Sequence, residues 1–196
     1  AILVSGTPPT GRYLSKNNNN ILRLPAIRQA FPKAVIIIPF RTPTDHAGSL
    51  MRQHGRFVAS QGENSFELSY MTWLAHHEFG RGHKPFLFNG QPLPADGIGP
   101  DHFDYWLRAW RDAYAYLERA APEGAVFVQY EALCANQSVW AGLAELAGVP
   151  TQEGTASYEN FEASRRGTRF DTLDHALLAE CESLYQRLSE KSVKII

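Results

Sequence analysis

Residues 34 to 40, Ala-Val-Ile-Ile-Ile-Pro-Phe, are an unbroken apolar run rich in β-branched side chains. That is the pattern of a short parallel strand buried on both faces. Thr42-Pro43-Thr44-Asp45 follows at once, with a capping Thr, a Pro suited to the first helical position and an acid three residues after the cap. A helix is predicted to start there and to carry Ser49, Leu50 and Met51. Upstream, Leu24, Ile27, Ala30 and Phe31 fall at helical spacing around Pro25, and Pro32 ends that helix before the strand. The local order is helix, strand, helix.

Farther on, Phe66, Tyr70, Trp73, Leu74 and His77 recur at i, i+4, i+7, i+8 and i+11, which predicts an amphipathic helix with these residues on its apolar face. Gly80 to Pro100 then holds five glycines and four prolines. So long a loop reads as a lid, a binding loop or disorder, and the lid reading is preferred, with Pro85-Phe86-Leu87-Phe88 expected to dock on the body or on an acceptor. Asp101 to about Ala121 predicts a helix that buries Phe103, Trp106, Leu107, Trp110, Tyr114 and Leu117, and Pro122-Glu123-Gly124 turns into a second apolar strand, Ala125 to Val128. A helix over about 136 to 147, closed by Gly148 and Pro150, an irregular segment to about Asp171 and a last helix carrying Leu177, Leu178, Cys181, Leu184, Tyr185 and Leu188 complete the pattern. Asn17 to Asn20 is the one low-complexity patch, and no repeat or linker divides residues 1 to 196.

Alternating helices and apolar strands imply an α/β domain, a mostly parallel sheet flanked by helices. Only Ile2 to Val4, Val35 to Phe40 and Ala125 to Val128 read as strands, few for so many helices, so a further N-terminal strand and its loop are expected outside this chain. The 196 residues are 44% hydrophobic and carry a net charge of 19 − 20 = −1. They suffice for one sizeable core, and near-neutrality removes the bulk electrostatic case for nucleic acid. Any bound anion must be held by locally placed Arg and Lys. Cys134 and Cys181 lack metal or redox spacing and read as core thiols of a reducing compartment. With no apolar run near the roughly 18 residues of a membrane span and no signal-peptide pattern, a cytoplasmic protein is expected.

Arg41 at the carboxyl end of the first strand and Ser49 about two turns into the next helix lie where open α/β sheets bind ligands, and together they suit one phosphate. His46, His54, His77, Glu67 and Glu78 are candidate general bases by residue type. His76, His77 and His83 have no Cys or second acid at ligand spacing, so no metal is expected.

Lys16-Asn17-Asn18, Arg23-Leu24, Phe31-Pro32-Lys33-Ala34, Arg41-Thr42-Pro43 and Ser49-Leu50, in that order, resemble the central block of the sulfotransferases that use 3′-phosphoadenosine 5′-phosphosulfate (PAPS). A second block, Val128-Gln129-Tyr130-Glu131-Ala132-Leu133 with Leu146-Ala147-Gly148-Val149-Pro150 after it, is similar to the same family's strand ending in Tyr-Glu-x-Leu and its following Leu-Gly-Val-Pro. The resemblance spans about residues 12 to 190. It implies a P-loop NTPase-like sulfotransferase fold, PAPS as cosubstrate and a hydroxyl or amine acceptor on a small molecule, glycan or peptide.

By the same resemblance Arg41 and Ser49 hold the nucleotide's 3′-phosphate, Arg165, Arg166 and Gly167 form a loop closing over it, and Lys16 stands near the transferred sulfuryl group. Tyr158 is read as packing its loop onto the core, with stacking on adenine as the alternative. Two departures matter. Asn18 occupies the position where many relatives carry a basic His, and an amide cannot take a proton. Gly6 to Arg12 looks superficially like the family's phosphosulfate loop, but Pro8 and Pro9 remove two N–H groups a phosphate cradle would use, and it is read as a surface turn. The expectation is a sulfotransferase domain lacking that loop, with a noncatalytic adenine-nucleotide-binding module of the same fold as the alternative.

Overall fold

The computed structural model describes residues 13–88, 97–149 and 173–192. The chain forms two compact units, residues 1–34 and 35–196. In the first, the asparagine run is built into a 3-10 turn, Asn18–Leu22, because Asn17 caps it by accepting from the Asn19 N–H at 2.8 Å. Helix α1, Leu24–Ala30, has Pro25 in its first turn. Arg28 Nη1 donates to the carbonyls of Pro32 and Ala34 at 2.8 and 3.0 Å, satisfying groups just beyond the helix end.

The second unit runs β1 (Ile37–Phe40), α2 (Pro43–Glu63), α3 (Ser65–Trp73), α4 (Phe103–Ala120), β2 (Val126–Gln129), α5 (Tyr130–Ala135), α6 (Gln137–Leu146) and α7 (His175–Lys191). The fold is α/β, and among the described residues the sheet has two parallel strands, with Ile37 opposite Val126 and Phe40 opposite Gln129. The expected strand at Ile2 to Val4 lies outside the described residues.

β1 corrects one expectation. Instead of burial on both faces it alternates: Ile38 and Phe40 are buried while Ile37 is 39% exposed. The Phe40 ring meets Tyr114, Phe127 and Tyr185 edge-on at 6.5, 6.5 and 5.5 Å. β2 is the doubly covered strand, since Phe127 faces Phe40 and Val128 packs with Val139 and Leu143 of α6. The parallel register turns the backbone groups of Pro39 away from β2, so its missing N–H costs no ladder bond, and the Tyr114 hydroxyl donates to its carbonyl at 2.9 Å.

α4 packs against both α2 and α7. Its apolar stripe is the one the sequence predicts, with Leu107 and Trp110 fully buried. α7 runs alongside in the same direction. Asp104 accepts from the N–H of Asp174, Arg111 pairs with Glu180, and Glu118 binds both Arg187 and Lys191. Between these polar rungs Cys181, fully buried, donates its thiol to the Leu107 carbonyl.

α3 corrects a second expectation. The helix forms, but its aromatic stripe faces outward: Phe66, Tyr70 and Leu74 are exposed and Trp73 is 76% exposed. Phe66 stacks on Tyr70 and meets Trp73 edge-on, so the rings pack on each other rather than on the body. His77 lies beyond the helix end. Among the described residues no helix is long and apolar enough to cross a membrane.

Candidate functional site at the carboxyl end of the sheet

Both strands end in a helix start at the same edge of the sheet. β1 passes through Arg41 into α2, and β2 passes directly into α5, whose first residues are Tyr130 and Glu131. The N-cap of α2 is Thr42, as its sequence predicts, but neither backbone bond of a local capping box forms: the Thr42 hydroxyl donates to the Asp45 side chain, to Oδ2 at 3.0 Å, while the Thr42 backbone N–H goes to Glu131 Oε1 at 2.9 Å. Glu131 Oε2 also accepts from the Tyr185 hydroxyl at 3.2 Å, and the Gln129 amide donates to the same hydroxyl. A single carboxylate therefore ties the start of α2, α5 and α7 together.

Arg41 is half-buried and lies over the Tyr130 ring, its guanidinium carbon 5.2 Å from the centroid. A guanidinium beside an aromatic face keeps N–H donors of the kind with which Arg serves carboxylates and phosphates. A hydrogen bond to Cys134 raises the Tyr130 hydroxyl above its ordinary range. Ser49, half-buried, is six residues after the first residue of α2, about 9 Å along the axis. Arg41 and Ser49 are thus a strand-end cation and a hydroxyl on the helix that follows it, with the α2 N-terminus between them.

His46, in the first turns of α2, has its affinity for protons depressed to about 4, first by burial and then by the Arg41 charge. Its Nδ1 is buried without a hydrogen-bond partner, and its ring stands 6.1 Å from that of Tyr114. At neutral pH it is an uncharged imidazole beside a guanidinium. Of the other bases considered, His54 and His77 belong to a separate cluster and Glu67 is bonded to Ser60. Glu78 pairs with His76 at 3.5 Å. Among the described residues no group of three or more His, Cys, Asp or Glu is placed to hold a metal ion.

Lys16 belongs to the first unit, exposed just ahead of the turn at Asn18. Arg165, Arg166, Gly167 and Tyr158 lie outside the described residues. The roles of Glu131 and Tyr185 escape sequence reading, because the first is visible only as part of a Tyr-Glu motif and the second only as a core position of α7. Comparison of the chain with protein-family models, with curated proteins and with solved structures finds no match.

Proposed function

We propose that this chain is a PAPS-dependent sulfotransferase domain, which moves a sulfuryl group from the 5′-phosphosulfate to a hydroxyl or amine of a small-molecule, glycan or peptide acceptor and leaves 3′-phosphoadenosine 5′-phosphate. The observation that carries the reading is the junction of the two motif blocks. Arg41-Thr42-Pro43 and Tyr130-Glu131 are joined at one end of the sheet through the Thr42–Glu131 bond and the Arg41–Tyr130 contact.

In this reading Arg41 neutralises the 3′-phosphate with charge-assisted bonds, Ser49 donates a neutral one, and Arg165, Arg166 and Gly167 close over the same group. Lys16 stabilises charge on the bridging oxygen as the S–O bond to the phosphate breaks and the bond from acceptor oxygen or nitrogen to sulfur forms. The acceptor proton passes to a base. No metal enters this scheme. The two free thiols, Cys134 half-buried and Cys181 buried, suit the reducing cytoplasm.

Calorimetry with 3′-phosphoadenosine 5′-phosphate and with adenosine 5′-phosphate tests the reading. The expected result is tighter binding of the first and loss of that preference in Arg41→Ala, by about 2–5 kcal/mol. Equal binding of both nucleotides overturns it. Binding of the bisphosphate is common to the sulfotransferase and to the noncatalytic nucleotide-binding module, and transfer of labelled sulfate in the presence of a phosphosulfate loop separates the two.

A further inference from the structure

The segment between α3 and α4 carries a second, independent arrangement. Gly80 is buried at φ +81°, and a Cβ at this position would collide with the Gln61 side-chain amide, so the turn sits directly on α2. The buried Gln61 accepts from the Arg81 N–H at 2.7 Å, and the Arg81 side chain donates to the Val58 carbonyl at 3.3 Å. Beside it the buried His54 accepts from the Gly80 N–H through Nδ1 at 3.3 Å.

These bonds fix the tautomers of two histidines. His83 Nδ1 stands 3.2 Å from the His77 carbonyl, which can only accept, so the proton is on Nδ1 and Nε2 accepts from the Tyr105 hydroxyl at 2.6 Å. A proton added at His83 Nε2 is tolerated, because the Tyr105 oxygen accepts once its hydroxyl rotates. His54 has no such freedom. Its Nδ1 faces an N–H, so its proton is on Nε2, and a second proton sets two donors against each other. We propose that His54 and the Gly80–His83 turn form an acid-sensitive latch, closed while His54 is neutral and released from α2 when His54 is protonated.

The surroundings favour this sense. The His54 ring is covered by Trp106 of α4 at 5.4 Å and by His83 of the turn at 5.2 Å. Burial lowers its proton affinity below the ordinary value near 6.5, and Asp101 ahead of α4 opposes that in part. His83 is likewise lowered, first by burial and then by His54. The neighbours from α2 and α3, Gln61 and Met71, are uncharged, and the Arg81 side chain is turned to Val58. Because the closed state binds the proton less well than the open one, the latch is intact above about pH 6.5 and weakens as the pH falls toward and through the lowered value. This holds whether or not the chain is a sulfotransferase.

Amide exchange followed by NMR between pH 7.5 and 5 tests the proposal in the intact chain. The protection factors of the Gly80 and Arg81 amides are expected to fall with pH, by up to roughly tenfold for each unit separating the open and closed His54 midpoints, while that of Trp110 in α4 holds. In His54→Asn, whose Oδ1 takes the place of Nδ1 and does not titrate, the fall is expected to vanish. Constant protection at Gly80 in the wild type, or the same fall in His54→Asn, overturns the latch. Should that variant fail to fold, ring nitrogen shifts of the wild type decide: a His54 protonated on Nδ1 at pH 7.5, or a His54 titration that does not coincide with the change at Gly80, overturns it equally.

Discussion

The Thr42 N–H and the Glu131 carboxylate meet at 2.9 Å although 89 positions separate them in sequence. A helix N-cap ordinarily has its own N–H covered by the residue three positions on. Here Asp45 is held by the Thr42 hydroxyl, and the backbone donor is served from across the sheet. The start of α2, the conformation of Arg41 beside it and the position of α5 are consequently one structural decision.

Removing that acceptor exposes the dependence. Glu131→Ala leaves the Thr42 N–H and the Tyr185 hydroxyl without their partner and is expected to cost about 1–3 kcal/mol in urea unfolding, with Glu131→Gln costing less because an amide oxygen still accepts. Equal stability of Glu131→Ala and wild type contradicts the linkage.

Two glycines should respond in opposite directions to the same change. Gly80→Ala forces a side chain into a positive-φ position against Gln61 and is expected to destabilise by about 1–3 kcal/mol. Gly55 is on the exposed side of α2, where an added Cβ would meet nothing within 4 Å, and should gain about 0.5–1 kcal/mol as Ala. Thermal unfolding of both variants checks the pair.

The tryptophans divide by burial. Trp110→Ala removes a side chain 1% exposed and is expected to cost about 3–5 kcal/mol. Trp73→Ser, at 76% exposure, should change stability by less than about 0.5 kcal/mol and remove the fluorescence most readily quenched by iodide. A large loss of stability in Trp73→Ser means that the α3 stripe is buried after all.

The clamp between α4 and α7 should be acid-sensitive. Bonding to Arg187, then to Lys191, holds the Glu118 carboxyl below its ordinary value of 4.5. Its contribution is therefore present above about pH 4.5 and lost as the pH falls through the lowered value. Glu118→Gln is expected to be slightly less stable than wild type at pH 7, by under about 1 kcal/mol, and to lose that difference progressively as the pH falls below about 4.5. Denaturant titrations across that range measure it.

Much of the architecture follows from local pattern. The Ile-Ile-Pro-Phe strand, the Thr42-Pro43 helix start, the α4 stripe from Phe103 to Leu117 and the last helix through Leu188 all form where periodicity and capping place them, because each signal is read within one or two turns of chain. Arg41 and Ser49 are legible for the same reason, as a strand end and a helix position a fixed number of residues apart.

Tertiary structure decided what covers each surface and which distant groups meet. Periodicity defines the α3 stripe but not the side of the body it faces, and Phe66, Tyr70 and Trp73 face out because no described element lies over them. An apolar run shows that Ile37 is strand, while its exposure depends on whether a helix packs on that face. The bond from Thr42 to Glu131 and the contact of Arg41 with Tyr130 join positions 89 residues apart, and no local signal encodes them. The chemistry of single residues is thus written in the sequence, and their convergence is written in packing, where the edge-on contacts of Phe40 with Tyr114, Phe127 and Tyr185 draw two strand ends into one site.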